Sequence, residues 1–521
     1  MDYRSSAARS VTLSECARMG SPQQFVAGTA LGCLLAFFMA RPVLHALSCV
    51  QVHLLPLLLR SKELPPGSLG FLFLEETLYF ISSLRHGGGP ARFVNERTEK
   101  FRSETFKTSI FLHPTVVVQG AAANRFLASG ESKQELLNSW PASTLELLGR
   151  NVPVAVHGAQ HKRQRQIMSA CLAPAALQKV MGKADRMTRQ HFEETWKEGA
   201  QLSIVSSLKT HVFRIACSML AGTELVEAVL SRMEPHFRTW IAGMAELPLN
   251  VPGTAFNKAR RARDALHSQI DEVIRRRRQQ LQQHPSEPCD DLLSQMILAY
   301  DEDGSVLTPE ELREVTLFLI FAGHDTSATT LMFALKFLEQ NPSCLQRLVQ
   351  EHECIVANKQ PGEVLNWKDV TNMKYTWAVL QESMRLRPPV LGGIKEAQKE
   401  LKYNGYTIPK GWKMFFSMSS THENDDYFKE ASKFDPSRFE VDRMQKEGPP
   451  PFSFVAFGVG PHACKGGDFA RMNMSLYIHH LIMGKFTWTS LQLHEEYHSF
   501  PMLTFTKGYP VIVSRDNVSL I

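Results

Sequence analysis

The sequence predicts a mainly α-helical protein with small β-sheets. Three observations carry that expectation: helical hydrophobic spacing from about residue 70 onward, a long apolar helix with its own start and stop signals between Thr308 and Pro342, and β alternation confined to short stretches. No internal repeat breaks the pattern, and loops are marked by HGGGP (86–90), HPSEPCDD (284–291) and KEGPPP (446–451).

At the N-terminus, FVAGTALGCLLAFFMA (25–40) and VLHALSCVQVHLLPLLL (43–59) are apolar runs separated only by Arg41 and Pro42. Each is near the lower limit of about 17 residues for a membrane span, and longer than the core of a cleaved signal peptide. Basic Arg60 and Lys62 follow, and then ELPPGSLG (63–70) gives a stiff proline hinge. The expected organisation is a membrane-anchor region over 1–62 and a catalytic domain over 63–521. A buried core helix is the alternative for the apolar runs. An organelle transit peptide is the alternative for the first twenty residues, with Arg4, Arg9 and Arg18 in favour and Asp2 and Glu15 against.

The 521 residues are 44% hydrophobic and 21% charged, an ordinary globular balance, and the formal charge of +6 is too small for a nucleic-acid footprint. It suits an acidic protein partner or a membrane surface. Nine cysteines, odd in number and never spaced C-x-x-C, argue against a disulfide framework or a zinc site and for a reducing compartment. The segment KARRARDALHSQIDEVIRRRRQQ (258–280) reads as a basic helix, either a solvated face or a docking patch. DEDGS (301–305) starts like a calcium loop, but its twelfth position is Leu312 rather than Glu. LKYNGYTI (401–408) reads as a tight hairpin turning at Asn404-Gly405.

The long helix opens on a capping box, Thr308 with Glu311, and stops at Asn341-Pro342. Between Val315 and Leu335 it is apolar almost all round, so it should cross the core. AGHDTS (322–327) is out of place there: glycine costs about 1 kcal/mol against alanine inside a helix, and a buried Asp325 is expensive without a partner. The plain alternative is that Asp325 and Thr326 back-bond within the helix or meet water. A second unusual stretch, FVAFGVGPHACKGGDFA (454–470), sets Cys464 between two glycine-flanked turns just before a helix start.

Together FGVGPHACKG (457–466), ESMR (382–385) and AGHDTS resemble the three signatures of the cytochrome P450 family of haem-thiolate monooxygenases. HKRQR (161–165), RLRPP (385–389), YTIPKGW (406–412) and FDPSRF (434–439) also match in the family's order, so the resemblance covers nearly the whole chain from residue 63. It implies the cytochrome P450 fold, with haem b between the long central helix and the cysteine loop. Cys464 is then the thiolate ligand of the iron. Turns at Gly458 and Gly460 would aim backbone N–H groups at the sulfur, the helix starting near Gly466 would add its positive end, and Phe457 would shield the sulfur. On the opposite side Gly323 would open the helix, often with a local bulge. Thr326 and Asp325 are the implied catalytic alcohol and acid that deliver protons to the activated oxygen. Leu319, Phe321, Ala322 and Gly323 line the implied substrate pocket, and Glu382, Arg385 and Arg438 hold the cysteine loop. The haem propionates fall to His161, Arg165, His462 and Lys395. The family commonly has arginine in place of His462 and Lys395, and proline in place of Lys465, and neither histidine nor lysine reproduces the arginine fork.

LPPGSLGF (64–71), VPGTAFNKARRAR (251–263) and PPPFSFVAFGVG (449–460) look most like the clan of plant brassinosteroid, abscisic acid and terpenoid oxidases and animal retinoic acid hydroxylases. The resemblance therefore implies insertion of one oxygen atom from O2 into an apolar terpenoid or sterol-like substrate. Electrons would come from NADPH through a flavoprotein reductase, which Lys162, Arg163 and Lys465 would help to dock. The implied site is the endoplasmic reticulum membrane with the catalytic body in the cytosol. Two other functions fit the same motifs: a reductase-independent thiolate-haem isomerase or dehydratase, and a haem-binding sensor that has lost turnover.

Overall fold

The computed structural model describes residues 63–515, apart from 86–88, 222–225, 245, 247, 285–290, 361–362 and 500–501. The expected membrane anchor lies outside the described residues. The chain is mostly helical with small sheets, as the sequence predicts.

Five strands form the largest sheet: β1 (Phe106–Ile110), β2 (His113–Val118), β3 (Leu136–Asn138), β4 (Gly392–Ala397) and β5 (Lys413–Ser417), in the order β1-β2-β5-β4-β3. The β2–β5 pair is parallel and the others are antiparallel. The register places Lys395 of β4 opposite Asn138 of β3. The short hairpin pairs Leu401–Tyr403 with Tyr406–Ile408, and Asn404 and Gly405 have φ of 49° and 78°, as a tight hairpin turn needs. The proline segment departs from expectation. It is no free hinge, because the Lys107 N–H donates to Pro66 O at 2.7 Å and Lys107 Nζ to Pro65 O at 2.8 Å, stitching it to β1.

The helices that position the site are α1 (Gly120–Ser132), α2 (Gly158–Cys171), α3 (Ile204–Ala221), α4 (Pro309–Gln340), α5 (Lys374–Leu386) and α6 (Gly467–Met483). The capping box of α4 is present: Thr308 Oγ1 accepts the Glu311 N–H, and a Glu311 carboxylate oxygen accepts the Thr308 N–H. Glu311 also pairs with Arg163, so this arginine braces the start of α4 and is largely covered, whereas Lys162 and Lys465 are exposed.

Two apolar clusters make up most of the core, and α4 runs from one into the other. Leu312, Val315, Leu317 and Ile320 belong to the first, and Ala328, Leu331, Met332 and Leu335 to the second. AGHDTS occupies the gap. An α-helix buried on all sides has no polar face, so its only place for polar groups is where the apolar packing is interrupted.

Candidate active site

Within the gap, side-chain environment follows helical phase. Leu319, Ala322, Gly323 and Thr326, at spacing i, i+3, i+4, i+7, are only partly covered, as is Phe321. Ile320, His324 and Asp325 between them, and Ser327 just after, are buried. One stripe of the core helix therefore faces an internal recess, lined by the residues expected for a substrate pocket.

Helix α4 passes Gly323 without a bulge, contrary to expectation. Packing is tight instead: a Cβ there would sit 3.1 Å from Phe469 Cε1 on α6, so that ring would have to give by a few tenths of an ångström. Thr326 Oγ1 donates to Ala322 O at 2.6 Å, so the hydroxyl back-bonds within the helix while the residue stays open to the recess. Asp325 points the other way, with Lys209 Nζ of α3 3.1 Å and His324 Nδ1 3.4 Å from Oδ1. Burial works against its charge, but His324 and Lys209 together outweigh burial and hold the carboxyl down to about 2. His324 Nε2 lies 3.0 Å from Lys209 O, fixing the pair from the backbone side as well.

The cysteine loop is built from its own backbone. The Gly458 N–H donates to Val455 O at 2.8 Å, the Ala463 N–H to Gly460 O at 3.0 Å and the Cys464 N–H to Phe457 O at 2.7 Å. Gly458 and Gly460 take φ of 75° and 74°, the left-handed region that a side chain disfavours. The expected pair of N–H groups aimed at sulfur is reduced to one from further along the chain: the Gly466 N–H donates to Cys464 Sγ at 3.3 Å, with α6 following at once. Solvent reaches Cys464, yet protein surrounds it closely, so it lines a recess rather than the outer surface. Burial pushes its thiol up, opposed by the Gly466 N–H and the Arg165 charge. Phe457 packs near Gly467 and stacks with Trp377 at 6.1 Å.

Below the loop, Glu382 and Arg385 of α5 are 0% exposed and form a two-pronged pair, Nε to Oε2 at 2.7 Å and a terminal nitrogen to Oε1 at 2.8 Å. Arg385 also donates to His422 O at 2.8 Å and Lys433 O at 3.2 Å, and Glu382 accepts the Asp435 N–H at 2.9 Å. Arg438 Nε lies 3.4 Å from Glu382, completing the expected trio.

His422 is a member that sequence reasoning missed. It is 0% exposed, its Nδ1 donates to Arg385 O at 3.2 Å, and its Nε2 accepts the Val455 N–H at 2.9 Å, tying α5 directly to the start of the cysteine loop. Burial pushes it down to about 3, so it is neutral. Because that lies below the unfolded value of 6.5, its contribution is complete above pH 6.5 and is lost as pH falls towards 3. At pH 5 the expected loss from this residue is about 2 kcal/mol. Urea unfolding at pH 7 and pH 5 checks this, with His422→Gln expected to flatten the dependence.

The residues implied for the propionates converge. His161 and Arg165 lie one turn apart on α2, and Arg165 donates to Ala463 O at 2.6 Å. His161 and His462 stack at 3.8 Å, and Lys395 reaches the same cluster from β4. His161 Nε2 is buried without a partner among the described residues. An orphaned buried nitrogen beside a lysine and an arginine is what an acid-bearing ligand would complete. With that nitrogen unfilled, and with Cys464 accessible on the loop that carries His462 and that Arg165 contacts at Ala463, the residues present fit a haem.

The cytochrome P450 sequence profile matches residues 74–508. The chain is 35% identical to the beta-amyrin 28-monooxygenase of Kalopanax septemlobus over 86% of its own length and 91% of that protein. It is 36% identical to the taxane 13-alpha-hydroxylase of Taxus cuspidata, over 81% and 86%. Among solved structures it resembles the retinoic acid-bound cyanobacterial CYP120A1, with a TM-score of 0.78 and 31% identity over 87% of this chain and 99% of that one.

Proposed function

Since the chain belongs to the cytochrome P450 family and is a monooxygenase of it, we propose that its substrate is a terpenoid or sterol-like molecule and its electrons come from NADPH through a flavoprotein reductase. The observation that carries the substrate class is the open stripe Leu319, Ala322, Gly323 and Thr326 with Phe321 beside it, an almost wholly apolar wall in a chain whose relatives oxidise beta-amyrin and taxanes. A membrane-anchor region over 1–62 ahead of a catalytic domain over 63–521, on the endoplasmic reticulum, suits so apolar a substrate. Exposed Lys162 and Lys465 beside the cysteine face suit an acidic reductase surface.

The family implies haem, which Cys464 would ligate and whose acids His161, Arg165 and Lys395 would hold, and when bound it would supply the activation of dioxygen. The protein supplies protons and exclusion of water. Lys209, with 30% of its side chain accessible, ion-pairs with Asp325 at 3.1 Å and helps to keep that carboxylate ionised at neutral pH, so the charged pair links solvent to the buried polar segment of α4. Thr326 follows Asp325 in sequence with its hydroxyl at the recess and a lone pair free to accept. That acid and alcohol favour oxygen insertion over the reductase-independent isomerase and the sensor.

The test is turnover of beta-amyrin and a taxane with NADPH and a plant reductase. A hydroxylated product supports the reading, and failure on these and on a wider terpenoid and sterol panel removes the substrate class. Under the same conditions Thr326→Ala is expected to keep consuming NADPH while product per NADPH falls about tenfold or more and peroxide rises in its place.

A further inference from the structure

Glu131 belongs to none of the motifs, and it is 5% exposed near the end of α1. Both of its carboxylate oxygens are nevertheless committed to residues of the propionate cluster: Oε1 to His462 Nδ1, and Oε2 to Lys395 Nζ at 2.8 Å. One carboxylate thus joins α1, β4 and the cysteine loop. Gly460 makes the room, since a Cβ there would fall 2.7 Å from Glu131 Oε2.

The second nitrogen of His462 is also taken, with Nε2 3.2 Å from Val156 O. A ring with both nitrogens on acceptors has no donor left for another anion. His462 is therefore a bracket here, and its face supports the ring of His161 at 3.8 Å and 24°. Among the described residues His161 Nε2 has no partner, and the Lys395 ammonium, ion-paired with Glu131, still has hydrogens to donate. The donors still free for a carboxylate are thus set in place by Glu131, directly for Lys395 and through His462 for His161.

We propose that Glu131 is a positioning residue for the haem propionates, fixing Lys395 and the His462–His161 stack where two arginines would brace themselves. The inference rests on the haem-thiolate reading. It also accounts for the departures at positions 395 and 462: a lysine with one charged tip and a histidine with two ring nitrogens need a third group to orient them, whereas a guanidinium spreads five donors over a rigid plane.

Glu131→Gln keeps the shape and removes the charge. Haem is expected to pass to excess apomyoglobin about tenfold faster than from the wild type. The reduction potential should rise, because a buried negative charge has been removed, and the thiolate carbon monoxide band should be kept. Glu131→Asp retains the charge but is too short to span both partners, so it should release haem faster with the potential unmoved. If Glu131 acts through Lys395, Glu131→Gln should add less than about twofold to the release rate of Lys395→Gln. Unchanged release in both Glu131 variants, slower release in either, or full additivity with Lys395→Gln overturns the proposal. A wild type without the thiolate band would overturn the haem reading itself. A wild type that has the band, with variants that behave like it, overturns only the role of Glu131.

Discussion

Replacing Cys464 by serine is expected to abolish the red-shifted Soret band of the reduced, carbon monoxide-bound protein and to bring monooxygenase turnover to background. The fold should survive, because the loop is held by backbone bonds that the substitution leaves alone, Cys464 N–H to Phe457 O and Ala463 N–H to Gly460 O. Among the described residues the only hydrogen bond to the sulfur comes from the Gly466 N–H at 3.3 Å, which a serine oxygen can also accept. Stability is therefore expected to change by no more than about 1 kcal/mol. Spectra and thermal unfolding of both proteins check this in one preparation, and a variant that retained the shifted band would show that another residue ligates the iron. Burial alone favours the thiol at Cys464, so the deprotonated sulfur depends on the positive charge of a bound metal.

The second large effect is expected at Glu382. Glu382→Gln leaves Arg385, at 0% exposure, and Arg438 without their shared carboxylate, and breaking a buried pair by removing one partner costs about 3–5 kcal/mol. Against a total of about 5–15 kcal/mol for a folded domain, that is enough to lower the yield of haem-loaded protein severely. Arg438→Gln should cost less, because Glu382 keeps both bonds from Arg385 and Arg438 makes a longer contact of 3.4 Å. Urea unfolding and the haem content of purified protein rank the two, and equal losses would mean that the trio is not organised around Glu382.

The parts legible from sequence are those in which partners lie a few residues apart or in which backbone geometry demands a residue type. Thr308 and Glu311 announce their capping box, Asn404-Gly405 its turn, and Glu382 and Arg385 their pairing one helical turn apart. Cys464 was legible because the glycines around it have work only a glycine does easily, the left-handed φ at positions 458 and 460. The misses have another character. Glu131 meets His462 across 331 positions and His422 meets Val455 across 33, and nothing in the local pattern of either residue points to its partner. Gly323 stands out in the sequence for a bulge that the helix does not have; what the structure shows at this position is the close approach of Phe469. The proline segment reads locally as an exit, and only pairing with Lys107 turns it into part of the sheet.

The span between Glu131 and its partner has a consequence for biosynthesis. At about 5–20 residues per second, the 331 positions from Glu131 to His462 take roughly 15–70 s to emerge from a ribosome. Throughout that interval Glu131 is without the strand and the loop that will enclose it, and His161 joins it once thirty more residues have been made. Capture of the prosthetic group is therefore a late event, timed by the arrival of the cysteine loop, and a polypeptide stalled before Cys464 would gather much of its apolar core with no means of retaining iron.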